Sequence, residues 1–227
     1  MQDINKKINP ISILEKAELN HENGNFNDAL NQYIWFFDKA IDINKDCLGA
    51  KYVRCLIGWH DLSKVYVPAY DKLLERKDYL YIQLKTYPKK NDYIDFIKIC
   101  SHLDLILESI KLFKYFHKNN HPFAKEIFSD TMQYLCESKE FTLCETYIDN
   151  INKLYQKQLL LLDNLLRTDR QYYENEFSNT YIETFFRKIE YILESLKTTN
   201  RTVEINNILS MLKNDMTQRN IHIKIEN

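Results

Sequence analysis

The run Gly24-Asn25-Phe26-Asn27-Asp28-Ala29-Leu30-Asn31-Gln32-Tyr33 has the chemistry of a tight turn that leads into a helix. Gly24 can adopt the positive φ angle that ends one helix, and Asn25 or Asn27 can cap the start of the next. Phe26 supplies a large apolar anchor, and Ala29 is small enough to let another helix approach closely. We therefore expect two antiparallel helices joined at this turn.

Three further stretches repeat the pattern around Ala29. The small residue near the start of each second helix recurs at intervals of 40, 40 and 35 positions, as Ala29, Ala69, Ser109 and Cys144. Large residues lie three positions earlier and four positions later, as Phe26 and Tyr33, Tyr66 and Leu73, Ile106 and Phe113, and Phe141 and Ile148. Apolar residues lie twelve positions earlier, as Ala17, Ile57, Ile97 and Met132. Since one helix pair cannot bury its own apolar face, the register predicts a stack of pairs. A nonrepetitive helical bundle with a chance register is the alternative.

This pattern resembles the tetratricopeptide repeat, in which two antiparallel helices meet at a turn glycine, an aromatic residue and a small residue at the helix crossing. The first helix pair carries the likeness through Gly24, Phe26, Ala29 and Tyr33. Residues 13–215 are also similar to a group of uncharacterised bacterial proteins of tetratricopeptide-like type, through the stretches QYIWFFD at 32–38 and FTLCETYI at 141–148. The resemblance implies an all-α, right-handed stack of antiparallel helix pairs that binds a protein or peptide and catalyses no reaction.

The composition also favours a helical protein. The 227 residues include only three Gly and four Pro, which is typical of long helices rather than of β structure with many turns. Sixteen Tyr and 12 Phe supply large apolar bodies for a layered core. The net charge of −1, from 31 basic and 32 acidic side chains, gives no global field that would attract nucleic acid or an anionic membrane.

The five cysteines, Cys47, Cys55, Cys100, Cys136 and Cys144, predict reduced and buried thiols. Their number is odd, and the sequence has no Cys-x-x-Cys or paired-His motif that would indicate a metal site. Residues 1–7 lack the apolar segment of a secretory signal, and the apolar run at 159–162 is too short to span a membrane. We expect a cytoplasmic protein that needs no metal or other cofactor, and the resemblance implies a bacterial one.

The breaks along the chain predict its organisation. We expect about nine or ten helices from the apolar periodicity. Residues 1–10 form a lead-in, 11–151 the four tetratricopeptide-like helix pairs, 152–215 further helices that pack on the stack, and 216–227 a tail. Pro68 suits the first turn of a helix, and Thr180-Tyr181-Ile182-Glu183 has the capping-box pattern of a helix start.

Arg54 and His60 carry the alternative, catalytic hypothesis. Their spacing matches the Arg-x5-His pattern of helical ribonucleases and resembles the HEPN family, in which the cation stabilises charge and the imidazole moves a proton. In a regular helix six positions turn through ~600°, about 120° away from a common face. The motif therefore requires a distorted helix or an assembly of two chains.

The resemblance also predicts where a partner binds, because the first helix of each tetratricopeptide pair lines the concave side. The polar positions that point inward in this register are Glu15, Glu18, His21, Lys51, Arg54, Asp61, Asp95, Lys98, His102, Ser129 and Gln133. Lys51, Arg54 and Lys98 would bind a peptide carboxylate, since Arg offers a bidentate fork and Lys a point charge. A solvated face without a ligand is the alternative. An immunity or antitoxin-type inhibitor that covers a partner enzyme is a specific version of the binding scaffold.

Overall fold

The computed structural model describes residues 8–172 and 174–221, and the regular elements within these residues are all helices. In chain order they are α1 (Pro10–Glu22), α2 (Phe26–Ile43), α3 (48–63), α4 (Val67–Thr86), α5 (Lys90–His102), α6 (Ile106–Lys118), α7 (Phe123–Glu137), α8 (Phe141–Glu145), α9 (Ile151–Tyr172), α10 (Ser178–Lys197) and α11 (Thr202–Gln218). The all-α prediction is confirmed, and the described residues contain eleven helices rather than nine or ten.

Helix α3 changes its winding along its length, which the sequence does not predict. It is α-helical at Leu48–Ala50, π-helical at Lys51–Cys55 and α-helical again at Leu56–Ser63. A 3₁₀ turn, Lys45–Cys47, leads into it. A π-helical turn holds more residues than an α-helical turn, so it changes which side chains share a face of the helix.

Four connections of three residues each join the helices into pairs, at 23–25, 64–66, 103–105 and 138–140. Three of these turns contain a residue with positive φ, namely Gly24 (76°), Asp104 (56°) and Lys139 (60°). The next amide in each turn, that of Asn25, Leu105 or Glu140, bonds to the carbonyl five residues earlier, at 2.8 Å, 2.8 Å and 2.9 Å respectively. These bonds satisfy carbonyls at the end of the first helix, and the role predicted for Gly24 is confirmed.

The turn of the second pair is different, and the predicted register fails at one position of this pair. Val65 is β-branched and does not take the positive φ angle; instead the Tyr66 amide bonds to the Leu62 carbonyl, four residues earlier, at 2.9 Å. Ile57, predicted to be buried, is 40% exposed, whereas the adjacent Leu56 is fully buried. The predicted burial of Ile57 is therefore wrong, and the buried residue beside it is Leu56.

The chain forms two compact units that divide within α7, between Ile127 and Phe128. In the first unit α2 contacts α1 and α3, α4 contacts α3 and α5, and α5 contacts α6. The small residues of the register in this unit, Ala29, Ala69 and Ser109, have no exposed surface. Trp59 is also buried and donates from its indole nitrogen to the Ala69 carbonyl at 3.0 Å.

In the second unit α10 contacts α8, α9 and α11. Tyr155 of α9 is buried and donates a hydrogen bond of 2.8 Å to Asp215 of α11. Arg201, the N-cap residue of α11, donates to Glu145 at 2.9 Å and to the Ile148 carbonyl at 3.0 Å. The fourth small residue of the register, Cys144, is fully buried here.

Several predicted boundaries in the second unit need correction. Helix α10 begins at Ser178, before the predicted capping box, and Phe177 at its N-cap makes no side-chain capping bond. Helix α11 continues to Gln218, so residues 216–218 of the predicted tail are helical, and the rest of that tail from 222 onward lies outside the described residues. No helix within the described part of the chain has both the length and the apolar composition needed to cross a membrane.

Candidate functional site

The binding positions predicted in the first unit lie on α1, α3 and α5, and side chains join these three helices directly. Arg54 of α3 donates to both carboxylate oxygens of Glu18 on α1, from Nε at 3.0 Å and from Nη2 at 2.6 Å. Both side chains are partly exposed, so this ion pair contributes little to stability, about 0–1 kcal/mol. We call the surface that carries Arg54 and its neighbours on these helices the α1–α3–α5 face.

Lys51 has a different setting, because it is buried. Its Nζ lies 2.7 Å from Oδ2 of Asp95 on α5 and 4.1 Å from the ring centroid of Phe37 on α2. Tyr52 donates to the other carboxylate oxygen of Asp95 at 2.8 Å. Burial raises the pKa of Asp95, against the stabilising effect of Lys51 and Tyr52 on the carboxylate. The Lys51 ammonium is thus already bound within the protein.

The π-helical turn Lys51–Cys55 places these groups. Its first and last residues are buried, with the Cys55 thiol 3.2 Å from the Tyr33 carbonyl of α2, while Val53 and Arg54 between them are exposed. One turn later, Gly58 lies against the side chain of Tyr33: a Cβ atom at Gly58 would lie 2.6 Å from the Tyr33 hydroxyl oxygen. The local winding therefore presents Arg54 outward and Lys51 inward, although both were predicted to point into one groove.

His60 of α3 and His102 of α5 form the third cross-helix contact, with ring centroids 5.3 Å apart. Burial and then the Lys64 ammonium lower the pKa of His60, and burial and then His60 lower the pKa of His102. Both imidazoles are therefore mainly neutral at neutral pH, a state that can accept a proton. Among the residues that the structure describes, no group of three His, Cys, Asp or Glu side chains is arranged to hold a metal ion.

The remaining predicted positions of the first unit have simpler surroundings. Glu15 and Lys98 are exposed, and Asp61 accepts a hydrogen bond of 2.7 Å from Lys64, which lowers the pKa of Asp61. The His21 ring is half-buried, with its centroid 6.3 Å from that of Tyr33.

Ser129 and Gln133 lie on α7 in the second unit, where both are exposed. The Gln133 amide donates to Glu137 one turn later at 2.9 Å. These two predicted positions therefore belong to the second unit and not to the α1–α3–α5 face.

Val53 and Ile57 are the functional candidates that the sequence reasoning missed. They are 66% and 40% exposed, one helical turn apart on α3 and beside Arg54. The four-residue spacing of these two branched apolar residues is a usable signal in the sequence, but the register predicts that Ile57 is part of the core. Together they give the α1–α3–α5 face an apolar strip next to a fixed ion pair.

A shallow cavity of about 220 Å³ lies elsewhere in the first unit, lined by Ile34, Trp59, Lys72, Glu75, Arg76 and Tyr79 of α2, α3 and α4. Both cationic side chains that line the cavity form ion pairs: Lys72 with Glu75 at 2.5 Å, and Arg76 with Asp38. An apolar floor with paired charges at its rim leaves neither cation free for catalysis.

Comparison with known proteins identifies no matching family model, and neither the curated proteins nor the solved structures include a significant match to this chain.

Proposed function

We propose that this protein is a non-enzymatic scaffold of tetratricopeptide-like type that binds a peptide or protein segment on the α1–α3–α5 face. The observation that carries the proposal is the exposed apolar strip of Val53 and Ile57 beside the Arg54–Glu18 pair. Fully burying an exposed aliphatic side chain contributes about 1.5–3 kcal/mol, and the surface that Val53 and Ile57 still expose, 66% and 40%, amounts to about one such side chain, which is enough to anchor a partner's apolar side chain.

In this function Lys51, Arg54 and Lys98 do not all bind the partner's carboxylate, as the sequence predicts, but have three different roles. Lys51 holds Asp95 inside the protein and is not part of the contact surface. Arg54 uses Nε and Nη2 for Glu18, and within the described residues its Nη1 donors have no partner, so they remain for a carboxylate of the bound segment. Lys98 on α5 is exposed and adds a second positive charge. The expected partner therefore presents apolar side chains next to an acidic group.

The test is selection of peptides from a random display library on the purified full chain, followed by affinity measurements with variants. Replacing both Val53 and Ile57 with Glu should weaken binding of the selected peptides by about 10- to 100-fold, because it removes the apolar contact and adds negative charge near the acidic group. Ile82→Glu is the matched control, since Ile82 is 61% exposed on α4 of the same unit. Melting temperatures establish that each variant is folded.

Two results would reject the binding face. Peptides that bind the Val53→Glu/Ile57→Glu variant as tightly as the wild type would move the site to another surface. Equal loss of binding in Ile82→Glu would show that the peptides respond to charge on the whole protein and not to this strip. A library that yields no peptide above background would contradict a peptide-binding role.

The ribonuclease alternative is favoured by one observation, the π-helical distortion of α3 at Arg54, since the motif requires an irregular helix. Against it, Arg54 is bound to Glu18 on α1 and His60 lies against His102 on α5, so the two motif residues have different partners. The test is incubation of a labelled single-stranded RNA with wild type and with the Arg54→Ala/His60→Ala variant. Cleavage that disappears in the variant would establish the enzyme in place of the scaffold.

A further inference from the structure

Two thiols of the second unit face each other across the pair formed by α7 and α8. The Sγ atoms of Cys136 on α7 and Cys144 on α8 are 3.4 Å apart, and both side chains are buried. Ser195 of α10 lies beside them, with its Oγ 4.0 Å from the Cys136 sulfur. We call Cys136 and Cys144 the dithiol; the proposed peptide-binding function makes no use of it.

We propose that the dithiol is an oxidative modification site, at which hydrogen peroxide or a related peroxide links Cys136 to Cys144 in an intrachain disulfide. The sulfur atoms need to approach from 3.4 Å to about 2.05 Å, the length of a disulfide bond. The local structure allows this shift, because α8 has only five residues, Phe141–Glu145, and residues 146–150 after it are not helical.

The two thiols differ in acidity, which assigns their order of reaction. The hydrogen bond with the Cys144 thiol lowers the pKa of Cys136, since it stabilises the Cys136 thiolate. The pKa of Cys144 is raised by the same interaction and then by burial. Burial also raises the pKa of Cys47, Cys55 and Cys100 in the first unit. Because the thiolate is the nucleophile, Cys136 is expected to react first.

The chemistry balances with peroxide as the oxidant. The Cys136 thiolate attacks one peroxide oxygen, the O–O bond breaks, and hydroxide leaves and takes up the thiol proton to become water; Cys136 is then a sulfenic acid. The Cys144 sulfur attacks the Cys136 sulfur, the S–O bond breaks, and a second water leaves. Two thiols and one peroxide thus give one disulfide and two waters. Since both sulfurs are buried, the reaction passes through a local opening of the short helix α8.

The sequence permits a direct test on the full chain, because Lys139 separates the two cysteines into different tryptic peptides, 126–139 and 140–153. The purified, reduced protein is treated with hydrogen peroxide, remaining thiols are alkylated under denaturing conditions, and the digest is mapped by mass spectrometry. We expect a linked 126–139/140–153 peptide that dithiothreitol separates, a loss of about 2 Da for the intact chain from removal of two hydrogens, and alkylated Cys47, Cys55 and Cys100 as internal controls.

Single variants test the order of reaction. Cys144→Ser should trap the sulfenic acid at Cys136, where dimedone labels it, whereas Cys136→Ser should leave Cys144 reduced. Oxidation spread evenly over all five cysteines would overturn the proposal, as would wild-type protein in which Cys136 accumulates higher oxides without a linked peptide. Full alkylation of both cysteines after peroxide treatment would do the same. The wild-type peptide map decides the question even when a variant does not fold.

Discussion

At the scale of single residues, Gly58 shows how closely two helices approach in this protein. A Cβ atom there would lie 2.6 Å from the hydroxyl oxygen and 2.8 Å from Cζ of Tyr33, whose ring is buried and cannot move aside freely. Gly58→Ala should therefore destabilise the protein by ~1–3 kcal/mol in urea denaturation. Gly49→Ala is the matched control, because nothing lies within 4 Å of its added Cβ and alanine favours a helix by up to ~1 kcal/mol. Equal effects of the two substitutions would contradict the close approach at Gly58.

The pair of His60 and His102 predicts a pH dependence of stability. Both imidazoles have a pKa below the ordinary value near 6.5 of an unfolded chain, mainly because they are partly buried. As the pH falls through 6.5, the unfolded chain binds protons before the folded protein does, so the stability present above that pH is lost. The His60→Gln/His102→Gln variant should show a shallower decline of unfolding free energy between pH 7 and pH 5.5. If the unfolding free energy of the variant declines as steeply as that of the wild type, these histidines are not the cause of the decline. The unfolding free energy of each protein above pH 7, where both histidines are mainly neutral, serves as its reference.

Lys51 and Asp95 show what a register can and cannot predict about side chains. The sequence placed both on the first helices of neighbouring pairs, and the structure brings them within 2.7 Å of each other. The sequence did not indicate that Lys51 is buried, because this depends on the π-helical turn and on Phe37, which lies on another helix. Contacts between residues 44 positions apart in the chain have no local signature.

At the scale of elements, the three-residue turns were predictable where the chemistry is local. Gly24 identified one turn, whereas Asp104 and Lys139 adopt the same positive φ without being glycine. The apolar spacing predicted the helices on either side, because it reports directly which face of a helix is buried. The π-helical turn in α3 had no such signal, and neither did the exposure of Ile57, for which the register predicts burial.

The same turns give a prediction at this scale. Lys139 has a φ angle of 60°, a conformation that costs a residue with a Cβ atom free energy and costs glycine little. Lys139→Gly should thus stabilise the protein by ~0.5–1 kcal/mol in urea denaturation. Lys118→Gly is the control, because Lys118 ends α6 in helical conformation, where glycine should destabilise. A loss of stability in Lys139→Gly would show that contacts of the Lys139 side chain contribute more to the free energy of unfolding than the strain of its backbone costs.

At the scale of the whole molecule, the four small residues of the register are the observation most relevant to a repeated architecture. Ala29, Ala69, Ser109 and Cys144 all have no exposed surface, as expected if each lies where two helices cross. Each also lies just after a three-residue turn: Ala29, Ser109 and Cys144 are the fourth residues of their helices, whereas Ala69, after the turn that closes differently, is the third. A tetratricopeptide-like stacking of the pairs remains a proposal, and the small residues offer a way to test it.

If the pairs are equivalent repeats, enlarging the small residue should have a similar effect in each. Ala29→Leu, Ala69→Leu and Ser109→Leu should each destabilise by ~1–3 kcal/mol in urea denaturation, because a leucine overpacks a position at which the small residue is fully buried. Ser210→Leu is the control for Ser109→Leu, since Ser210 is exposed on α11 and its substitution should change the unfolding free energy by less than ~0.5 kcal/mol. A large loss at one site with no effect at the other two would favour a nonrepetitive bundle, in which burial of the small residues is unrelated from one pair to the next.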